Sequence, residues 1–270
     1  MSLLLHISDA HFGTEQPPVV QALRMLARDR RPDALIFSGD VTQRARRAQF
    51  AAAARFVESL GITRRMALPG NHDIPLLNVF ARALQPYGGY IRAFGHDLEP
   101  VLQGADFVAI GVNTTRPGRH KDGEVSPEQV ERVAALLRNA RPGQLRIVVT
   151  HQPCALPNTQ DETDRLHGAD PAIRAWADAG ADLVLGGHIH LPYVLDLSQQ
   201  PWAASRRMWC VQAGTALSSR VRHGIPNSVN LIQWKAPAAG APRTCIVERC
   251  DFDATRGRFV FAPAEELVLG

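Results

Sequence analysis

Six short, largely apolar runs punctuate the first two thirds of the chain: Leu3 to Ile7, Ala34 to Phe37, Arg65 to Leu68, Phe107 to Val112, Ile147 to Thr150 and Leu183 to Leu185. Each is too short for a globular helix and lacks the alternation of a half-exposed strand, so each reads as a strand buried on both faces. Between them the apolar period lengthens to that of an amphipathic helix. Val19 to Arg28, Ala45 to Leu60, Pro127 to Asn139 behind the N-cap Ser126, and Pro171 to Ala179 behind the N-cap Asp170 fit this pattern. Strands alternating with helices in this way specify an α/β fold.

After Leu191 the pattern changes. Met208 to Gln212, Ser228 to Trp234, Thr244 to Cys250 and Arg258 to Ala262 read as antiparallel strands joined by turns. Residues 191–270 are therefore expected to supply a second sheet that completes a single domain over residues 1–270. Lys235 to Pro242 reads as a hairpin loop, and Leu76 to Pro100, with Gly88, Gly89 and two prolines, as an insertion beside the site. A chain of 270 residues with 45% hydrophobic content can bury its core without disulfides. Cys154, Cys210, Cys245 and Cys250 form no CxxC pair and are expected to be reduced and mostly buried. The apolar start is too short for a signal peptide, and no run reaches the roughly twenty apolar residues of a membrane span, so a soluble, cytoplasmic protein is expected.

Five polar segments follow or end the apolar runs: Ser8-Asp9-Ala10-His11, Ser38-Gly39-Asp40, Gly70-Asn71-His72-Asp73, Thr150-His151 and Gly186-Gly187-His188-Ile189-His190. Strand ends along one edge of an open α/β sheet form the usual ligand crevice, so these segments could meet. Carboxylate, imidazole and amide oxygen suit divalent metals of borderline hardness. Asp9 and His11, two apart at an extended strand end, would point to one side and grip one ion together, and His188 and His190 repeat that spacing. With Asp40, Asn71 and His151 there are seven candidate ligands, too many for one tetrahedral ion and enough for two sharing a bridge. Two ions about 3.5 to 4 Å apart can hold both the attacking and leaving oxygens of a phosphoryl displacement and acidify a bridging water to hydroxide. No GxSxG elbow or P-loop offers a competing chemistry.

The order DxH, GD, GNHD, lone H, GHxH, spread over Asp9 to His190, resembles the calcineurin-like metallophosphoesterase signature. The resemblance implies a four-layer α-β-β-α sandwich of two mixed sheets flanked by helices, with two divalent metals (Mn, Fe, Zn or Co) at the sheet edge. It assigns Asp9, His11 and His190 to the first metal and Asn71, His151 and His188 to the second, with Asp40 bridging. His72 would contact the phosphate oxygens and protonate the leaving alkoxide, and Asp73 would help orient its ring. Protein phosphatases of this family carry GDxxDRG; here Gln43 stands where an acid would support the histidine, which disfavours that branch. The short chain and histidine-rich site look closer to class III cyclic-nucleotide phosphodiesterases.

The expected reaction is hydrolysis of a small phosphodiester, with a cyclic nucleotide as leading candidate. A pyrophosphate in a nucleotide-linked lipid precursor, a phosphomonoester, or a metal-bound scaffold without turnover are the alternatives; an apolar lid over the site would favour the lipid. Arg44, one turn from a ligand, is a candidate for the substrate phosphate, alongside Asn71 and His72. The basic loop Arg116 to Asp122 and the polar loop Ser218 to Arg222 are further candidates to line the pocket. The net charge of +4 is too weak for a nucleic-acid footprint. Expected partners are a small phosphorylated substrate and, through a late strand edge, a second copy as homodimer; neither a nucleic acid nor a membrane is expected. His6, His96, His167 and His223 are expected to be core or surface groups without a role.

Overall fold

Strands β1 (Ser2–Ile7), β2 (Ala34–Phe37) and β3 (Arg64–Ala67) run parallel, joined by crossover helices α1 (Pro17–Arg30) and α2 (Arg47–Ser59). In the computed structural model, which describes residues 1–76, 78–200, 204–238 and 240–270, two short helices follow, α3 (Val79–Leu84) and α4 (Gly88–Phe94). They occupy the segment expected as an insertion; its position 77 lies outside the described residues. The chain then lays down β4 (Val101–Gln103), β5 (Phe107–Gly111), α5 (Pro127–Arg138), β6 (Leu145–Val149), α6 (Ala169–Asp178) and β7 (Leu183–Gly186). It closes with β8 (Tyr193–Asp196), β9 (Trp209–Gln212), β10 (Ser228–Trp234), β11 (Thr244–Asp253), β12 (Arg258–Phe261) and β13 (Glu265–Val268).

The strands after residue 191 do not form a sheet of their own. One sheet has the order β12-β11-β10-β1-β2-β3, with β13 also on β11, and the other has the order β4-β5-β6-β7-β9-β8. The reason lies in β1: buried on both faces, it has an edge away from β2 whose N–H and C=O groups need partners. β10 supplies them in antiparallel register from Ser2↔Trp234 to His6↔Asn230. β9 pairs parallel with β7 in the same way. The loop of the β10–β11 hairpin runs over residues 235–243 and so contains the expected 235–242, with position 239 outside the described residues.

Three apolar layers hold the sandwich. Leu23, Phe50, Phe56 and Val229 pack α1 and α2 on the first sheet; Val133, Leu137, Ile173 and Trp176 pack α5 and α6 on the second; Leu4, Ile36, Ile147, Leu185 and Trp234 fill the space between sheets. Each fully buried side chain of this size stabilises the fold by roughly 1.5–3 kcal/mol. Ser126 caps α5 through a reciprocal box with Gln129. The α6 start differs from expectation: its N-cap is Gly168, left-handed at φ 82°, and Asp170 lies inside the first turn. β3 is not buried on both faces either, for Arg64 and Arg65 are exposed at the sheet edge. β4, β8 and β13, at three or four residues each, are too short to show a period in sequence. All four cysteines are free and buried. Among the described residues no helix is long and apolar enough to cross a membrane.

Candidate metal centre

The carboxyl ends of β1, β2 and β3 in one sheet and of β6 and β7 in the other open onto one edge, and there the five polar segments meet. His11 Nε2 lies 3.7 Å from Asp9 Oδ1, 3.6 Å from Asp40 Oδ2 and 3.1 Å from His190 Nε2. On the other side of Asp40, His151 Nε2 is 3.4 Å from Asp40 Oδ1 and 3.2 Å from Asn71 Oδ1. Among the described residues three groups have ligand atoms within 4.8 Å of one another: Asp9-His11-His190, His11-Asp40-His72 and Asp40-His151-His188. Asp40 belongs to two of them.

The backbone is not extended at these positions, contrary to the reading of Asp9 and His11. Seven non-glycine residues have positive φ among those described, and five are candidate ligands: Asp9 (53°), His11 (44°), Asp40 (50°), His188 (74°) and His190 (58°). A left-handed residue costs about 1–2 kcal/mol. Tight curls after the strands turn successive side chains inward, held by Asp9 N–H to the Gly39 carbonyl and His11 N–H to the Asp40 carbonyl, both 3.0 Å. Glycines make room: a Cβ at Gly70 would run into the Asp40 backbone and carboxylate, and one at Gly187 into Ser8 and the Asp9 carboxylate.

The side chains present fit a cation site. His151 Nδ1 is 2.9 Å from the Ser38 carbonyl and His190 Nδ1 2.5 Å from the Arg220 carbonyl, so each Nδ1 carries the proton and each Nε2 turns a lone pair inward. These Nε2 atoms face the oxygens of Asn71, Asp40 and Asp9, an arrangement that positive charge among them, a proton or a cation, satisfies. Asp9 Oδ1 and His188 Nδ1 are buried without a hydrogen-bond partner. Burial alone would raise the Asp40 carboxyl, but the imidazoles, His151 foremost, hold it well below the usual range. Burial likewise opposes protonation of His151, yet Asp40 outweighs it and pushes the imidazole up to about 9. The centre of the pocket therefore favours positive charge.

His72 lies at the rim, its N–H 2.8 Å from Asp40 Oδ1 and its Nδ1 3.0 Å from the Gln43 carbonyl. The ring is thus oriented by a backbone carbonyl and not by Asp73. The Asp73 carboxylate is buried and accepts from the N–H groups of Val41, Thr42 and Gly70 and from the Thr42 hydroxyl, tying the Asp40 loop to the Asn71 loop. Arg44 is exposed and lines a small cavity with Asn71, His72, Arg82 and His120. In the basic loop Arg119 and Lys121 are engaged by Glu124 and Asp164. His6 is a satisfied core group, 2.9 Å from Ser38 Oγ, and His96, His167 and His223 are exposed.

One neighbour of the site lies in a loop that the sequence offered as pocket-lining, without the residue being singled out, and another escaped sequence reading. Arg220, inside the expected polar loop, places Nη1 3.0 Å from Gln43 Oε1 and 3.4 Å from His72 Nε2. Asp164, at the end of the 3₁₀ helix Thr159–Asp164 and in no motif, sets Oδ1 3.4 Å from His188 Nε2 while paired with Lys121. A carboxylate on the outer nitrogen of a metal-binding imidazole fixes its orientation. Asp164→Asn is expected to weaken the second of two metal-binding steps about 10- to 100-fold, read by calorimetric titration with Mn²⁺, and to leave the first unchanged.

The model of the calcineurin-like phosphoesterase family matches residues 3–192. The chain belongs to the calcineurin-like phosphoesterase family. Membership implies phosphoesterase activity and accounts for a His/Asp cluster able to hold metals. No curated protein matches the chain by sequence. Among solved structures, a purple acid phosphatase from yellow lupin (Lupinus luteus) aligns over 99% of this chain and 53% of its own, with TM-score 0.73 and 11% identity, so this calcineurin-like chain spans about half that enzyme. A dimetal phosphatase from Danio rerio aligns over 100% and 99%, with TM-score 0.65 and 11% identity. Vacuolar Protein Sorting 29 from Cryptosporidium parvum aligns over 99% and 98%, with TM-score 0.53 and 13% identity. At such identities the likeness is one of fold, and function must be argued from the site.

Proposed function

We propose that the chain hydrolyses a small phosphodiester, with Asp9, His11 and His190 holding one divalent cation, Asn71, His151 and His188 a second, and Asp40 shared between them. The observation that carries this reading is the inward convergence of acceptor atoms on both sides of the Asp40 carboxylate. Bound there, two cations of the Mn, Fe, Zn or Co type supply Lewis acidity, acidifying water and neutralising phosphoryl oxygens. The chain's own residues do the rest. Asn71 and His72 face the cavity where the phosphate would sit, and Arg220 adds a guanidinium beside them. With Nδ1–H on the Gln43 carbonyl, His72 presents Nε2 to the cavity, and its imidazolium form would hand the Nε2 proton to the leaving alkoxide, leaving the neutral Nδ1–H ring. Gln43 in place of an acid leaves a neutral partner near that ring, which supports a diester over the protein-phosphatase branch. Cyclic nucleotides remain candidate substrates within this class.

Metal-loaded protein is expected to turn over bis(p-nitrophenyl) phosphate faster than the monoester; no turnover with any of Mn, Fe, Co or Zn would refute the proposal. His72→Ala should lower kcat about 10²- to 10⁴-fold while metal content by elemental analysis stays at the wild-type value. A second reading keeps the same His/Asp cluster as a metal-stabilised scaffold without turnover. That reading calls for metal-dependent thermal stabilisation without hydrolysis of any ester.

A further inference from the structure

The six-residue helix α3 contains no buried residue. Its Val79, Phe80 and Leu84 are 70%, 82% and 79% exposed, three of the ten large apolar side chains most exposed in the described chain. Scattered single exposures are ordinary, whereas a cluster beside a catalytic rim marks a binding surface. Phe80 and Leu84 line a cleft of about 1020 Å³ together with Leu76 and three arginines, Arg44, Arg46 and Arg92. Leu76 and Arg44 also line the small cavity that holds Asn71 and His72, so cleft and cavity adjoin. Among the described residues no acidic side chain lines the cleft and no carboxylate pairs with any of the three arginines, unlike Arg119 and Lys121 of the neighbouring loop.

Apolar side chains held in water next to unpaired guanidinium groups complement one kind of ligand, an anion carrying an apolar chain. We infer that the substrate is an amphiphilic phosphate ester whose chain lies along Phe80 and Leu84 and whose negative charge is met by Arg44, Arg46 and Arg92. The inference rests on the phosphoesterase reading of the adjoining site and narrows it to a substrate class. The occupant is a monomeric amphiphile: the cleft is a concavity beside the cavity of Asn71 and His72, which suits one extended molecule better than a flat bilayer surface.

The test has an arm that needs no turnover. The anionic apolar dye 8-anilinonaphthalene-1-sulfonate should bind saturably at one site and be displaced by dodecyl phosphate below its micellar concentration. Phe80→Ser/Leu84→Ser, substitutions at exposed positions, and separately Arg92→Gln should each weaken that binding at least about tenfold. In the second arm, metal-loaded protein is given methyl and octyl 4-nitrophenyl phosphate. KM for the octyl ester should be at least about tenfold lower, and the octyl-to-methyl preference should collapse in Phe80→Ser/Leu84→Ser. Equal dye binding by wild type and variants, or no chain-length preference, would overturn the inference. So would co-sedimentation with phosphatidylglycerol vesicles without displacement of the dye by dodecyl phosphate, which would assign the patch to a membrane surface. Dye binding as expected with no hydrolysis of any ester would refute the catalytic reading and leave the amphiphile site standing.

Discussion

Asp40→Asn is expected to reduce hydrolysis of bis(p-nitrophenyl) phosphate by at least about 10³-fold, equivalent to about 4 kcal/mol of lost transition-state stabilisation, and to lower the metal content of purified protein below two per chain. Asparagine is the informative replacement because it keeps the shape of the side chain, tolerates the left-handed backbone at φ 50°, and can still accept from the His72 N–H. What it removes is the negative charge lying 3.6 Å from His11 Nε2 and 3.4 Å from His151 Nε2. An unchanged far-UV spectrum with lost metal would locate the effect in the site. Full activity with two metals bound would show that the two halves of the cluster do not depend on a shared carboxylate.

Gly70→Ala should be severely damaging for a single added methyl group. Gly70 is extended (φ −103°, ψ 178°), so conformational freedom is not at issue; the difficulty is contact, since the new Cβ would overlap Asp40 at both its backbone and its carboxylate. Overpacking of this kind costs about 1–3 kcal/mol, and displacement of the shared ligand by even 1 Å should cost about 10²-fold in rate. Gly118, where a Cβ meets nothing within 4 Å, is the control. Thermal unfolding and kcat of Gly70→Ala and Gly118→Ala side by side decide the matter, and indistinguishable variants would refute the packing account.

Much of this was legible in sequence because the chemistry sits where the hydrophobic pattern ends. Asp9, Asp40, Asn71, His151 and His188 each follow a buried run within a few residues, and a buried parallel strand has little choice but to present its carboxyl end at the sheet edge. The left-handed curls at Asp9, His11, His188 and His190 were not legible, because neither residue type announces positive φ as glycine does. The Asp73 expectation failed for a related reason. Adjacency in sequence suggested a contact with the His72 ring, but the short 3₁₀ turn over Asn71–Asp73 sends the carboxylate back toward the Val41 and Thr42 N–H groups. The split of the late strands between two sheets, and the approach of Asp164 and Arg220 to the site, depend on pairing between segments far apart in the chain. Periodicity records nothing of that.

The central claim, that one buried aspartate joins two cation sites, is tested most directly by metal content. Protein stripped with chelator, reloaded with Mn²⁺ and freed of excess by gel filtration should carry two ions per chain by elemental analysis. Its low-temperature electron paramagnetic resonance spectrum should show exchange coupling between them. A single uncoupled ion, or none, with the fold intact would contradict it.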